Sequence, residues 1–365
     1  MSRLVLIDGH AILHRAYHAY PRLTTRKGEL INAVYGFSSI LLSVLKHLHP
    51  EYVACAFDVP KPTFRHKEFK GYKAHRPKVD EDLVKQIPKA KGVVRTLNIP
   101  IFEKEGFEAD DVIGSLAKQA NLKSKKHLPA DATALQAGKA KSKDKDKKSK
   151  LSETLKLPAS PCLAGRQTAG GFHSKTLEVI IVTGDKDVLQ LIDKNIKVFI
   201  PARGKQPAQL YDRKAFLEKY GFEPKKLVDF KALSGDASDA IPGVRGVGPR
   251  TTRNLIIQFG DLKNIYQNLN KIGGKINTNL KQGRKQALLS YRLAKIVTNV
   301  PIQFDLSKCR LLDYDKKKVI QLFEELEFRS LIKRLPGEEK AGEKKSTLSK
   351  LNKTEGIEDK QMGLF

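Results

Sequence analysis

Four short apolar runs rich in β-branched residues, Leu4–Ile7, Tyr52–Phe57, Glu178–Thr183 and Ile196–Ile200, constrain the chain most. Each is bounded by polar or turn-forming residues, as strands are. Between them lie segments whose apolar residues recur with the helical period, notably Ala33–Leu48, Glu81–Leu97 and Asp110–Ala120. Parallel strands cannot be joined by a tight turn and need a crossover, usually a helix. Strand and helix in alternation therefore predict the α/β class, with a mostly parallel central sheet.

The alternation is interrupted once and then ends. Residues 121–175 are dense in Lys, Ala and Ser, as in Lys139-Ala140-Lys141-Ser142-Lys143, and then carry Pro158, Pro161, Gly165, Gly170 and Gly171. No core-forming period survives there, so the segment is expected to be a low-complexity, disordered insertion. After Phe199 the pattern turns helical. Asp212 is placed to cap Arg213–Tyr220, and Pro224 suits the first turn of Lys225–Leu233. Further helices are expected at Thr251–Phe259, Gln282–Thr298 and Lys316–Arg334. This predicts a core over residues 1–200, a helical region over 201–335 and a charged flexible tail over 336–365.

Acidic residues gather where such a sheet binds its ligands. Asp8 follows the first strand and Asp58 the second; Asp185 and Asp187 follow the third in Thr183-Gly184-Asp185-Lys186-Asp187. The carboxyl ends of the strands form the crevice of an open α/β sheet, so these four acids should converge. Glu108, Asp110 and Asp111 open a helix, and Asp236 and Asp239 are three apart in Ser234-Gly235-Asp236-Ala237-Ser238-Asp239. Each group alone is commonly a helix cap or a solvated loop. Nine carboxylates in one cleft would repel one another, and hard divalent cations such as Mg²⁺ or Mn²⁺ relieve that repulsion with oxygen ligands. Two such ions roughly 4 Å apart can activate a water and stabilise the leaving oxygen of a phosphodiester.

The 365 residues carry 68 Lys and Arg against 40 Asp and Glu, a formal charge of +28. A basic surplus of this size favours a polyanion, with a solvated lysine-rich surface as the bland alternative. The insertion holds a good share of the charge. No apolar run approaches the ~20 residues that span a bilayer, so no membrane association is expected. Cys55, Cys162 and Cys309 are far apart and odd in number, which fits a reducing, cytoplasmic setting.

Taken together these segments resemble the 5′–3′ exonuclease domain of bacterial DNA polymerase I, within the flap endonuclease superfamily. The resemblance rests on Leu6-Ile7-Asp8-Gly9-His10, Ala33-Val34-Tyr35-Gly36-Phe37, Phe57-Asp58, Phe64-Arg65-His66, Gly71-Tyr72-Lys73-Ala74, Glu108-Ala109-Asp110-Asp111, Thr183-Gly184-Asp185-Lys186-Asp187 and Gly235-Asp236-Ala237-Ser238-Asp239-Ala240-Ile241-Pro242-Gly243-Val244, in the family's order. It implies a PIN-like nuclease core, a helical arch and a helix-hairpin-helix module. It implies that Asp8, Asp58, Glu108, Asp110, Asp111 and Asp185 surround a first metal ion, and Asp187, Asp236 and Asp239 a second. Lys73 and Arg76 match positions that contact the scissile phosphate, which with Asp185 and Asp187 makes the expected catalytic set. Arg65 lies in the basic, aromatic-rich stretch 61–80 expected to grip a single 5′ strand, and Tyr72 is expected to stack on the terminal base pair. Gly243, Gly246, Gly248, Arg250 and Thr251 lie in the stretch expected to hold a duplex phosphate, with K⁺ in the hairpin. The terminal Gln361-Met362-Gly363-Leu364-Phe365 resembles a sliding-clamp docking peptide, with Gln361, Leu364 and Phe365 as anchors. The resemblance ends with no polymerase domain after it, so the chain is expected to act alone.

The implied activity is metal-dependent cleavage of DNA at 5′ flaps and frayed 5′ ends, including removal of RNA primers in replication and repair. Two rivals remain at this level: a non-catalytic DNA-binding or clamp adaptor, which does not need nine acids, and a ribonuclease of the PIN class, which does not need the arch or the hairpin module.

Overall fold

The computed structural model describes residues 2–126, 177–202, 204, 206–311 and 314–335. Six strands form one sheet in the order β3-β2-β1-β4-β5-β6. They are β1 (Ser2–Asp8), β2 (Tyr52–Ala56), β3 (Ile101–Phe102), β4 (Leu177–Val182), β5 (Ile196–Ile200) and β6 (Gln209–Tyr211). Every neighbouring pair is parallel except β5 and β6. The four predicted strands are present within two residues at each end. β3 and β6 were not foreseen, because two or three residues carry no readable period.

A strand buried on both faces reads as a continuous apolar run, and β1 and β4 show why. Leu4 and Leu6 join Val179 and Ile181 in one hydrophobic cluster, while Val5 and Ile7 join Ile180 and Val182 in another on the opposite face. The second face is covered by α1 (Gly9–Ala19), α2 (Asn32–Leu48) and α4 (Glu81–Thr96). The stretch expected as a helical arch holds one short helix, α3 (Phe64–Glu68), followed by turns. On the first face lie α5 (Ala109–Lys126), α6 (Arg213–Tyr220), α7 (Leu227–Ser234), α8 (Pro249–Phe259), α9 (Leu262–Gln267), α10 (Gly274–Gln282) and α11 (Arg284–Ala294).

The helical region is not a separate body. Leu255, Ile256, Leu262, Ile265 and Ala287 share a cluster with the sheet's own Val179 and Ile181. Nor does it lie on one side. α12 (Lys316–Glu325) and α13 (Arg329–Ile332) return to the second face, where Val319, Phe323 and Leu331 pack with residues of α2 and α4. The single helix expected over Lys316–Arg334 is broken where Glu327 takes a left-handed φ of 60°. Likewise Gln282 ends α10, and α11 starts only after Gly283.

β1, β2 and β3 step in one direction across the sheet, and β4, β5 and β6 in the other. The order reverses between β1 and β4, and at such a switch point the two flanking loops part and leave a crevice. Asp8 lies at one lip of it and Thr183 at the other, with the Thr183 hydroxyl donating to Asp8 Oδ2 at 2.7 Å.

Candidate active site

Each acid reaches the crevice by a different local device. Asp8 ends β1 and caps α1, accepting from the Ala11 N–H at 2.9 Å. Asp58 follows β2 and accepts from the Ala109 N–H at 2.7 Å, which ties it to the start of α5. Asp185 accepts from the Asp187 N–H at 2.8 Å inside the tight turn after β4. Asp236 and Asp239 lie in a loop closed by paired Asp236 and Ile241 backbone hydrogen bonds, each 2.9 Å. The Lys73 N–H donates to the Asp239 carbonyl at 3.0 Å and pins the basic stretch to that loop.

The sheet-side carboxylates are crowded and poorly compensated. Asp8 is 3% exposed. Burial pushes its carboxyl up to about 7, and the charges of Asp58 and Asp185 add to the rise against the bonds from Ala11 and Thr183. Asp110 goes well above the carboxylate range, by burial first and then by repulsion from Asp185, Asp8, Glu108 and Asp187. Its Oδ1 is shut off from solvent with no hydrogen-bond partner. A buried carboxylate oxygen without a donor is costly. An all-oxygen cluster with an orphaned atom fits a hard divalent cation. Among the described residues, however, no three His, Cys, Asp or Glu side chains are arranged to hold an ion.

The helix-side acids are compensated by cations. Lys231, on α7, bridges Asp187 and Asp236. Burial lifts Asp187 to about 7 together with repulsion from Asp185, against the pull of Lys231. Burial works to raise Asp236 as well, but Lys231, helped by the Ser238 hydroxyl and N–H, holds that carboxyl below its usual value. Asp239 takes Arg76 at 2.5 Å and the Tyr72 hydroxyl at 3.2 Å. Glu108 takes the Lys73 ammonium on both oxygens at 3.1 Å. Burial pulls the Lys73 ammonium down, but Glu108 and Asp239 raise it by more. Lys73 itself has a left-handed φ of 54°, a strained state for a side chain with a Cβ. Lys231 was missed at the sequence level. Its signal was a lysine on the short apolar helix five residues before Asp236.

Three expected roles are corrected by burial. Asp111, 0% exposed, forms a two-pronged pair with Arg65 at 2.7 and 2.8 Å and also accepts from the N–H groups of Glu108 and Val297. Both its oxygens are occupied, so it supports the site instead of offering a metal ligand. Arg65 is 2% exposed and also donates to the carbonyls of Leu293 and Lys295, so it cannot meet a DNA phosphate. Tyr72 is 3% exposed and sits between Glu108 and Asp239, with no face open to a base pair.

The hairpin between α7 and α8 divides the same way. Gly243, at φ 63°, is buried and donates its N–H to Ser290 Oγ at 3.0 Å, and a Cβ there would strike the backbone of Gly235. It builds the turn and does not face a phosphate. Gly246, Gly248 and Arg250 are exposed and Thr251 is half-buried, at the start of a helix with no side-chain cap. A further feature is a row of imidazoles on α1. His10, His14 and His18 lie at centroid spacings of 6.2 and 5.2 Å, and burial, then His10, His18 and Arg76, lower His14. The insertion and the terminal peptide lie outside the described residues, apart from residues 121–126 at the end of α5.

An acid-lined crevice at the switch point of a parallel sheet, with a basic flank and a hairpin module beside it, is the layout of a PIN-like nuclease. The chain belongs to the 5′–3′ exonuclease family: it matches the family's N-terminal resolvase-like domain over residues 3–140 and its C-terminal SAM fold over residues 222–317. DNA polymerase I of Caldicellulosiruptor bescii is 36% identical over 335 residues, covering 91% of this chain and 33% of the relative. DNA polymerase I of Chloroflexus aurantiacus is 37% identical over 341 residues, covering 91% and 31%. The chain thus spans about a third of the length of these curated relatives. Among solved structures, the zinc-bound T5 5′-exonuclease aligns with a TM-score of 0.55 at 19% identity, covering 88% of this chain and 98% of that one. The catalytic core of Rad2 in complex with a DNA substrate aligns at 0.53 and 16% identity, covering 92% and 93%. At these identities the structural likeness speaks for the fold.

Proposed function

We propose that the chain is a structure-selective 5′ nuclease that hydrolyses a DNA phosphodiester near a single-strand/double-strand junction. One observation carries this reading: carboxylates from β1, the β2 and β4 exits, α5 and the loop after α7 meet in one crevice, where Asp110 keeps an oxygen with no hydrogen-bond partner. Divalent ions, Mg²⁺ or Mn²⁺, would be held by Asp8, Asp58, Glu108, Asp110 and Asp185 on one side and by Asp187, Asp236 and Asp239 on the other. When bound they supply Lewis-acid stabilisation of charge on the phosphate. Lys73 and Arg76, now paired with Glu108 and Asp239, exchange those partners for the scissile phosphate when DNA enters. The exposed start of α8 holds the duplex backbone through N–H groups and Arg250, without reading sequence, and K⁺ is assigned to the hairpin.

The substrates on this reading are 5′ flaps, frayed ends and RNA primers, in a bacterial, nucleoid-associated cytoplasmic setting. Gln361–Phe365 is assigned to the sliding clamp, and equal clamp affinity after its deletion would remove that assignment. The principal experiment is cleavage of a 5′-labelled flap duplex with Mg²⁺, with EDTA, and by an Asp185→Ala/Asp187→Ala variant. Junction cutting that needs the metal and vanishes in the variant supports the nuclease. Tight flap binding by folded protein without cutting, in Mg²⁺ or Mn²⁺, favours a non-catalytic adaptor.

A further inference from the structure

A cleft of about 650 Å³ opens at the opposite end of α7 from the acidic loop. The eight residues of α7 give a separation of roughly 12 Å along the helix, so the cleft is distinct from the catalytic crevice. Its floor is apolar. Leu262 and Tyr266 lie four apart on α9, and Leu288 and Tyr291 lie on one face of α11, about one and two turns on from Arg284. Leu288 is 45% exposed, an unusual state for a leucine set among other apolar groups.

The rim is unevenly charged. Of its two carboxylates, Asp261 pairs with Lys226 at 3.0 Å and caps α9, and Asp229 accepts from the Leu262 N–H at 3.0 Å. Both are committed. Lys225, Lys263 and Arg284 make no ion pair among the described residues. Lys263 lies close enough to Asp261, and Lys225 to Glu223, to help hold those carboxyls down, but three cations outside any ion pair around an apolar floor are complementary to a chain that brings carboxylates and a bulky apolar side chain together. Duplex DNA offers the charge but is convex and hides its bases, so it leaves the floor wet. Arg284 lies 5.7 Å from the Tyr266 centroid and Lys295 lies 5.8 Å from that of Tyr291, so cations edge the rings that form the floor.

We propose that this cleft is a docking site for an acidic peptide with an apolar anchor, carried by a partner protein. The proposal does not depend on the nuclease reading. The probe is a fluorescein-labelled twelve-residue peptide, rich in Asp and ending in two bulky apolar residues, titrated against the full chain at about 150 mM salt, where diffuse charge attraction is screened. Saturable one-to-one binding is expected. Leu288→Gln, which changes no charge, should weaken it about tenfold, as lost burial of one leucine-sized contact implies. Lys263→Glu on the exposed rim should weaken it at least as much, while Lys318→Glu on α12 should stay within about twofold. Flap cleavage by Leu288→Gln should match the unaltered chain. Undiminished peptide binding in both Leu288→Gln and Lys263→Glu overturns the proposal, because attraction to net charge then explains it. It is also overturned if the peptide fails to bind and the two variants instead lose flap affinity, which would place the cleft on the nucleic-acid face.

Discussion

The two halves of the acidic crevice handle the same problem differently. On the sheet side, Asp8 and Asp110 sit among other carboxylates with few donors, and burial and mutual repulsion push both up. On the helix side, Lys231, Lys73 and Arg76 reach into the acids, and Asp236 is held down by its lysine. Crowded charge is relieved by protons or an external ion in one half and by internal ammonium and guanidinium groups in the other. The sheet side is therefore the half whose Asp8 and Asp110 have no cation of their own among the described residues, and the helix side is the half where Lys231, Lys73 and Arg76 already occupy the acids, although Asp187 there is still raised to about 7 by burial and Asp185.

The largest expected effect tests that division directly. Asp110→Asn should lower junction cleavage by roughly a thousandfold or more, whereas Asp236→Asn should cost closer to a hundredfold, since Lys231 already occupies part of that half. Equal losses in single-turnover assays would mean the two halves act as one unit. Next comes the support beneath them. Arg65→Ala leaves Asp111 charged, buried and unpaired, and should remove about 3–5 kcal/mol of stability. Urea unfolding checks it, and a loss under ~1 kcal/mol would show that water and the Glu108 and Val297 N–H groups suffice to hold Asp111.

A subtler prediction converts one half into the other. Lys231→Met leaves Asp187 and Asp236 without their shared cation, so the chain should lose roughly 1–3 kcal/mol in EDTA and recover most of it with Mg²⁺ or Mn²⁺. Metal-independent destabilisation in thermal melts would contradict the idea that the ammonium stands in for an ion. pH should act on both halves at once, through Asp8 on the sheet side and Asp187 on the helix side. Asp8 and Asp187 are raised to about 7, so between pH ~4 and ~7 the folded chain holds protons that the unfolded chain releases. Stability in EDTA should therefore fall as pH rises through that window, and divalent ions should restore more at pH 8 than at pH 5. The smallest effect concerns the hairpin. Arg250→Ala should weaken flap binding only several-fold and reduce the salt slope by about one, leaving cleavage at saturation unchanged.

Much of this was readable beforehand, for reasons that differ by element. β1 and β4 declare themselves because both faces are buried, and Asp8 and Asp185 are legible because they follow strands whose exits form the ligand edge. Asp212 is read correctly as the cap of α6, accepting from the Ala215 N–H at 2.8 Å. α1 went unread because Gly9 and three histidines dilute its apolar period, and β6 because three residues have none. Arg65, Asp111 and Tyr72 were misjudged for a single cause. Their residue types suit DNA or metal, and nothing local says that Leu293, Lys295 and Asp239 close over them.

The sequence by itself determined the class of the fold, the edge at which the acids meet and the family to which the chain belongs, because strand periodicity, strand-end position and short motifs are properties of neighbouring residues. Tertiary structure alone decided which of those acids remain uncompensated. That depends on which cations reach across 46 residues from Arg65 to Asp111, or 44 from Lys231 to Asp187, and on which groups lose water when the sheet and its helices close together. Burial and pairing are set by groups distant in sequence, and local pattern carries no record of them.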